Sequence, residues 1–275
     1  MKKHKRVLII LGSVCLCFVI LFVSLGIVFI DNRNIEYQEI KIEHSNTLGA
    51  SLKIIHLSDL HFPNIGVDID KMLESIDESG PDIIAITGDI VGRNSALETS
   101  GVAEFIEELV TIAPVYYVNG NHELNHRYGK ELFEFMKSKD VVVLQNQYVD
   151  IEINGINVTI IGLTDNKNLV YKYDGSSDGE YVILLDHRPR DWSGAAVQQL
   201  GIVPDLVLSG HIHGGQIRMF GMGWLCPDTI FFPKFQTGLY TFENTKMVVS
   251  RGLGNSIVPF RFNNLPHVPV IEVGF

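Results

Sequence analysis

Five short polar motifs in this chain carry side chains that could bind divalent metal ions. Each motif follows an apolar run, and the potential ligands are only Asp, Asn and His. Seven such ligands are enough for two ions that share one carboxylate. Two ions about 3.5–4 Å apart can clamp the attacking and leaving oxygens of a phosphoryl displacement. In chain order the motifs are Asp59-Leu60-His61, Gly88-Asp89, Gly120-Asn121-His122-Glu123, His187 and Gly210-His211-Ile212-His213.

The identity of the metal is open from the residue types alone. Nitrogen and oxygen ligands of this kind suit Mn²⁺, Fe²⁺ or Zn²⁺ better than Ca²⁺ or a thiophilic ion. The chain has three cysteines, two of them in the apolar N-terminal run, so neither a thiolate metal site nor a disulfide framework is indicated.

The elements predicted around the motifs explain how residues so far apart could meet. Apolar strands at 52–57, 83–87 and 115–118 alternate with helical patterns at 68–79, 97–112 and 130–138. The later part is rich in strands, and a first strand or linker strand falls within 35–48. We expect a mixed α/β fold with two sheets, helical first and strand-rich later. The later strands are predicted at 141–144, 148–153, 156–161, 181–185, 206–208, 238–241, 246–250 and 268–273.

All five motifs lie just beyond the carboxyl ends of predicted strands, where open α/β sheets bind their ligands. Asp59 and His61 are two residues apart, so an extended exit from a strand would point both the same way, and the same holds for His211 and His213. The sequence therefore predicts one site assembled at the strand ends.

The N-terminus predicts a membrane anchor. Residues 7–30 carry no charge and follow the basic flank 1–6, so a helix there would cross a bilayer with its N-terminus in the cytoplasm. A cleaved signal peptide is the alternative, although no small-residue cleavage site ends the run. We divide the chain into flank 1–6, transmembrane anchor 7–30, linker and first strand 31–49, and catalytic domain 50–275, which would lie outside the cytoplasm. Residues 31–275 carry 18 basic and 32 acidic side chains, a balance of −14 that does not favour nucleic acid as the main partner.

The motif set D-x-H, G-D, G-N-H-E, His and G-H-x-H resembles that of the calcineurin-like metallophosphoesterases, over about residues 50–275. The stretches 213–216, 252–255 and 259–261 are most similar to a bacterial, often membrane-anchored, subgroup. The resemblance implies a four-layer α/β/β/α sandwich with two mixed sheets and a pair of divalent ions, bridged by Asp89. It implies His122 as the general acid rather than a ligand. One ion would be bound by Asp59, His61, Asp89 and His213, and the other by Asp89, Asn121, His187 and His211.

Residues around the motifs leave alternatives open. Glu123 would either support His122 or sit in a surface turn, and Asp165 would either face the site or form a turn. His56 is expected to be buried and structural, whereas His44, His126 and His267 are expected at the surface or rim. Arg261 would contact either a phosphate or a carboxylate. The apolar segment 218–224 would be either core packing or a lid over an apolar substrate or the membrane surface.

The expected function is a membrane-anchored, dinuclear metal-dependent phosphoesterase that hydrolyses diester or monoester bonds. Two cations would activate water as the nucleophile, and His122 would protonate the leaving group. The same site would also serve a pyrophosphohydrolase of a nucleotide-sugar lipid. A non-catalytic metal-binding scaffold is the alternative from another class.

Overall fold

The computed structural model describes residues 2–44, 49–92, 95, 97–169, 171–175, 179–227, 231–256 and 258–275. Its helices are α1 (Lys2–Asp31), α2 (Ile69–Ser79), α3 (Leu97–Ser100), α4 (Val102–Ile112), α5 (Asn121–Leu124), α6 (Gly129–Ser138) and α7 (Ala195–Leu200). Its strands are β1 (Glu36–Glu43), β2 (Ser51–Leu57), β3 (Ile83–Thr87), β4 (Val115–Val118), β5 (Val142–Val143), β6 (Gln147–Ile153), β7 (Ile156–Gly162), β8 (Tyr181–Leu185), β9 (Leu206–Ser209), β10 (Ile217–Met219), β11 (Met222–Trp224), β12 (Gly238–Thr241), β13 (Lys246–Val249) and β14 (His267–Gly274).

Two six-stranded mixed sheets form the framework. The first has the order β1-β14-β2-β3-β4-β5, in which β2 to β5 run parallel and β14 is antiparallel to β2. The second has the order β12-β13-β9-β8-β7-β6, with β13, β9, β8 and β7 parallel and an antiparallel strand at each edge. A separate hairpin pairs β10 with β11. The predicted two-sheet α/β fold is confirmed.

Three layers of apolar packing account for the stacking of these sheets. On β3, Ile84 and Ile86 pack against α2, α4 and α6, whereas Ile83 and Ala85 face the second sheet. On β8, Ile183 lies in the same inter-sheet core, and Leu184 packs outward with Leu200 of α7. Alternate side chains of a strand thus pack into different cores. The result is the α/β/β/α arrangement.

Most predicted elements are observed close to their predicted bounds, with one clear break. The helix predicted over 97–112 is divided into α3 and α4 by Gly101, whose φ of 79° lies in the left-handed region that ends a helix. Helix α2 begins where Asp68 accepts a hydrogen bond from the Lys71 amide. Helices α5 and α7 and the β10–β11 hairpin were not predicted. Residues 45–48 of the predicted first strand lie outside the described residues.

Helix α1 precedes the sandwich. Many of its apolar side chains between Ile10 and Leu25 are exposed, among them Phe22 at 81%. Among the residues that the structure describes, no helix combines the length and apolar character needed to cross a membrane. The anchor at 7–30 and the division of the chain into segments stay predictions. After α1, the Asn32 side-chain amide donates to the Arg261 carbonyl oxygen at 3.2 Å and accepts from the Arg261 amide at 3.1 Å. These two hydrogen bonds connect the end of the helix to the loop before β14.

Candidate metal centre

The carboxyl ends of strands from both sheets carry the five motifs to one place. Asp59 and Asp89 lie two residues beyond β2 and β3, and Asn121 opens α5 after β4. In the second sheet, His187 lies two residues beyond β8, and His211 two residues beyond β9. The predicted placement of the motifs at strand ends is therefore confirmed.

The first group of ligand atoms consists of Asp59, His61 and His213, whose atoms lie within 4.8 Å of one another. The Nε2 atoms of His61 and His213 are 3.1 Å apart, and the His213 Nε2 is 3.3 Å from the Asp59 Oδ1. All three side chains are buried. Two imidazole nitrogens that face each other beside a carboxylate are a donor set suited to a divalent cation.

The second group consists of Asp89, His187 and His211. The His187 Nε2 lies 3.1 Å from the His211 Nδ1, 3.4 Å from the Asn121 Oδ1 and 3.6 Å from the Asp89 Oδ2. The same Asp89 Oδ2 is 4.0 Å from the His61 Nε2 in the first group. Asp89 is thus the carboxylate that the two groups can share.

The orientation of His187 supports a metal-binding role for this donor set. Its Nδ1 is 2.7 Å from the Thr87 carbonyl oxygen, which can only accept, so the Nδ1 carries a proton and donates it. The Nε2 is then the nitrogen that faces Asp89, Asn121 and His211. A backbone acceptor behind a histidine is the usual way in which a protein orients a metal ligand. The residues present therefore fit a pair of divalent ions.

The backbone at the site differs from the extended exit that we expected. Asp59, His61, Asp89, His211 and His213 all have φ between 50° and 69°, in the left-handed region. Asp59 and His61 do meet in one group, through a turn. His211 and His213 do not point the same way, since each joins a different group. The expectation based on strand alternation was wrong because it assumed a regular strand beyond Leu57 and Ser209.

His122 lies at the mouth of this centre. Its Nε2 is 3.8 Å from the Asp89 Oδ2, and its side chain is 12% exposed, against 0–2% for His61, His187 and His213. Its backbone amide donates to the Asp89 Oδ1 at 2.8 Å. The ring is therefore next to the shared carboxylate and slightly exposed at the mouth of the centre.

Glu123 is buried and accepts hydrogen bonds from the loops that hold Asp89. Its Oε2 accepts from the amides of Asp89 at 2.9 Å and Gly120 at 2.7 Å, and its Oε1 accepts from the Val91 amide at 3.2 Å. The surface-turn alternative is wrong, and the residue that Glu123 supports is Asp89. Burial, followed by the Asp89 charge, raises the pKa of Glu123 to about 7.

The ligand groups perturb one another strongly. Burial raises the pKa of Asp89, but the charge of His187 and its hydrogen bond outweigh this and hold the pKa below its usual range. For His187, burial lowers the pKa, but the Asp89 charge prevails and raises it to about 10. Burial and the nearby His213 lower the pKa of His61 to about 3. Without metal, the centre thus holds one proton on His187, in a place that a cation can take over.

An ion pair beside the centre was missed from the sequence. The Arg188 Nε donates to the Asp165 Oδ1 at 2.7 Å, and both residues are buried. The other face of the guanidinium reaches the centre, with Nη1 2.7 Å from the His211 Nε2 and Nη2 3.4 Å from the Asn121 Oδ1. Asp165 therefore acts on the site through Arg188. The sequence feature that could have indicated this ion pair was the basic residue Arg188 directly after His187.

Arg261 is fully buried, and the structure favours a structural role for it over the predicted phosphate or carboxylate contact. Its guanidinium donates to the carbonyl oxygens of Gly254 and Arg251. The Gly254 amide in turn donates to the Asp59 carbonyl oxygen at 2.7 Å. Arg261 thus stabilises the loop that packs behind Asp59.

The remaining histidines divide as follows. His56 is buried and lies 2.8 Å from the Thr87 hydroxyl, which confirms its structural role. His44 is exposed and His126 is partly exposed, as expected. His267, expected at the surface, is fully buried, with Nε2 3.0 Å from the Gln38 Oε1, because β14 is an inner strand of the first sheet.

The apolar segment 218–224 forms the β10–β11 hairpin and is not core. Phe220 at its turn is 92% exposed, and Met222 is 42% exposed. Trp224 is partly buried and packs edge-on against Phe231 and Phe232. The core-packing alternative is wrong for the tip of the hairpin.

Comparison with known proteins agrees with this geometry. Residues 52–215 match the calcineurin-like phosphoesterase family. The chain is 30% identical to the uncharacterized metallophosphoesterase YkoQ of Bacillus subtilis over 258 residues, 88% of this chain and 92% of that protein. It is 29% identical to the phosphodiesterase YaeI of Escherichia coli over 238 residues, 82% and 83% of the two chains.

Among solved structures, a 5′-nucleotidase precursor from Thermus thermophilus is 13% identical, with a TM-score of 0.48 over 82% of this chain and 55% of that chain. The matched family uses paired divalent metal ions, and residues of both ligand groups fall within the matched region. The chain belongs to the calcineurin-like phosphoesterase family and is a metal-dependent phosphoester hydrolase.

Proposed function

We propose that this protein hydrolyses phosphodiester or phosphomonoester bonds at two divalent ions held by the two ligand groups. The observation that carries the proposal is the position of Asp89, which belongs to the second group and whose Oδ2 lies 4.0 Å from the His61 Nε2 of the first. Asp59, His61 and His213 would complete the first ion's ligands, and Asn121, His187 and His211 the second's. When bound, the ions supply a water nucleophile at neutral pH and neutralise charge on the phosphoryl oxygens.

The chain's own residues would supply the proton and the orientation. His122 is the most exposed of the histidines gathered around Asp89, so its Nε2 is placed to donate a proton to the leaving oxygen. Its backbone amide holds the Asp89 Oδ1. Glu123 fixes the loops on both sides of Asp89 through three backbone amides. Because the acid and all seven ligands are present together, a non-catalytic scaffold is the weaker alternative.

Hydrolysis of bis(p-nitrophenyl) phosphate by the full chain with Mn²⁺ tests this proposal. We expect Asp89→Asn to remove the activity and His122→Ala to lower kcat by about 10²–10⁴-fold without changing Mn²⁺ affinity. His126→Ala is the matched control, because His126 lies only four residues further along the chain and outside both ligand groups. If the wild type is no faster than Asp89→Asn, the proposal fails.

We also propose that residues 7–30 anchor the chain in the cell membrane and that the catalytic domain lies outside the cytoplasm. The uncharged run, the basic residues before it and the exposed apolar side chains of α1 support this arrangement. In this arrangement the protein stays in the pellet after alkaline carbonate extraction, and protease added to spheroplasts digests the domain. Release by carbonate, or protection until the cells are lysed, contradicts it.

A further inference from the structure

A cavity of about 400 Å³ lies directly beside the metal centre. It is lined by His211 and Ile212 of the last motif, by the segment after His187 and by the loop that carries Lys234 and Phe235. This volume is within the range of about 300–1,000 Å³ that small-molecule sites occupy. The cavity therefore has room for a part of the substrate other than the reacting phosphoryl group.

Most of the charged residues that line the cavity are cationic, in a chain of net charge −10. Among the described residues that line it, four are cationic and only Asp191 is acidic; the cationic ones are Lys167, Arg188, Arg190 and Lys234. Asp165 and Asp186 pair with the two arginines, yet neither lines the cavity. The acidic partners thus contact the guanidinium groups on the side away from the cavity.

Arg190 and Lys234 are held by different arrangements. Arg190 donates to the carbonyl oxygens of Asn166 and Lys167, which fixes the loop after β7 against the segment after β8. Lys234 pairs with Asp191 at the rim, where both side chains are largely exposed, so this pair is weak and open to exchange with an anion. An anionic group would therefore meet two fixed guanidinium groups and a lysine that can reorient.

Arg188 forms the wall between this cavity and the metal centre. Its guanidinium lines the cavity, and its Nη1 and Nη2 also lie 2.7 Å from the His211 Nε2 and 3.4 Å from the Asn121 Oδ1. An anion in the cavity would therefore be a neighbour of a phosphoryl group at the metal ions. The Arg188 Nε and Nη2 already donate to Asp165, so this guanidinium would attract a phosphate through its positive charge and not through a free bidentate fork.

We propose that this cavity binds a second phosphate of the substrate, next to the phosphoryl group that is hydrolysed. This inference rests on the proposed phosphoesterase function. It specifies the substrate class as phosphoesters that carry another phosphate within a few bonds, as in a pyrophosphate diester. The two lysines then contribute to affinity for the second phosphate and not to the reaction itself.

Binding of two non-hydrolysable probes tests the proposal directly. Inorganic phosphate offers one anionic phosphorus centre and methylenediphosphonate offers two, and each is titrated calorimetrically into the full-length, Mn²⁺-loaded protein. The metal content is measured after each titration. We expect the double variant Lys167→Met/Lys234→Met to weaken the diphosphonate about tenfold and phosphate less than about twofold. The matched control Lys71→Met/Lys130→Met, which removes the same charge from α2 and α6, should alter neither affinity.

Kinetics with two substrates extend the test. For the cavity variant, kcat/KM should fall about tenfold for a pyrophosphate diester such as UDP-glucose, and less than about twofold for bis(p-nitrophenyl) phosphate. Equal losses for both probes or both substrates, or no loss for either, overturn the second-phosphate site. Failure of the proposed function is a different result, namely a wild type that does not exceed Asp89→Asn on bis(p-nitrophenyl) phosphate.

Discussion

Replacing Gly120 by alanine is a sharp test of how the shared carboxylate is positioned. Gly120 has φ −96° and ψ −172°, an extended conformation that any residue adopts, so the substitution introduces no backbone strain of its own. An added Cβ would lie 2.6 Å from the Asp89 amide nitrogen and 2.8 Å from its carboxyl carbon, and closer still to Oδ1. The three atoms nearest to the added Cβ thus all belong to Asp89.

The size of the effect follows from these distances. Cβ atoms in proteins essentially never approach other heavy atoms closer than 3.0 Å, so the Asp89 amide must retreat by at least 0.4 Å and the Oδ1 by more. Overpacking of this kind costs about 1–3 kcal/mol of unfolding free energy. A misplacement approaching 1 Å at a catalytic group lowers the rate by about 10²-fold. We expect kcat on bis(p-nitrophenyl) phosphate to fall by about that factor, with weaker Mn²⁺ binding.

The assay combines urea unfolding, calorimetric Mn²⁺ titration and steady-state kinetics well below the unfolding temperature. Gly92→Ala is the matched control, because the nearest atom to its added Cβ is the Ser95 hydroxyl oxygen at 3.1 Å, and it should keep near wild-type activity. If Gly120→Ala also keeps wild-type kcat and Mn²⁺ affinity, the carboxylate of Asp89 does not need the position observed here, and our account of the centre is refuted.

Three further predictions concern the charges around the centre. Burial and the Asp89 charge raise the pKa of Glu123 from 4.5 to about 7. Between these two values the folded metal-free protein retains a proton that the unfolded chain has lost. The unfolding free energy should therefore fall as the pH rises from about 4.5 to about 7. Urea unfolding in chelator should show a flatter pH profile for Glu123→Gln; identical slopes would contradict the prediction. Asp165→Asn breaks a buried ion pair and should cost about 3 kcal/mol, against less than about 1 kcal/mol for Asp191→Asn at the exposed rim pair. Because the pKa of His187 is raised to about 10, Mn²⁺ binding at pH 8 should release about one proton, seen by calorimetry in buffers of different ionisation enthalpy, and His187→Gln should remove that release.

Much of the sandwich could be predicted because its strands are short apolar runs bounded by turn residues. Strands β3, β4 and β8 have the predicted bounds, since burial on both faces leaves an uninterrupted apolar signal. Helix α7 was missed because its sequence, Ala-Ala-Val-Gln-Gln-Leu, is too short to show a helical period. The β10–β11 hairpin was missed because its pairing depends on Phe220-Gly221 at the turn, where both residues adopt positive φ.

The candidate site was predictable in its ligands but not in its support. Asp, Asn and His after strands are a local signal, whereas the roles of Glu123, Asp165 and Arg188 depend on partners 23 to 34 residues away. Glu123 could not be assigned to Asp89 from spacing, because the loops of β3 and β4 meet only in the folded sheet. His267 was misplaced for the same reason, since a histidine at the start of a strand shows no sign of which strands will flank it.

The left-handed backbone at five of the ligands is the feature that links the fold to the chemistry. For a residue with a side chain, such a conformation costs of order 1 kcal/mol or more, and it persists only where the surroundings impose it. Here the parallel pairing of β2 with β3 continues past both strands, since the Asp59 amide donates to Gly88 and the His61 amide to Asp89, each at 3.0 Å. On the far side, the Gly254 amide donates to the Asp59 carbonyl oxygen. These hydrogen bonds hold Asp59, His61 and Asp89 in conformations that a free loop would abandon. The pairing of the two strands therefore positions part of the donor set directly.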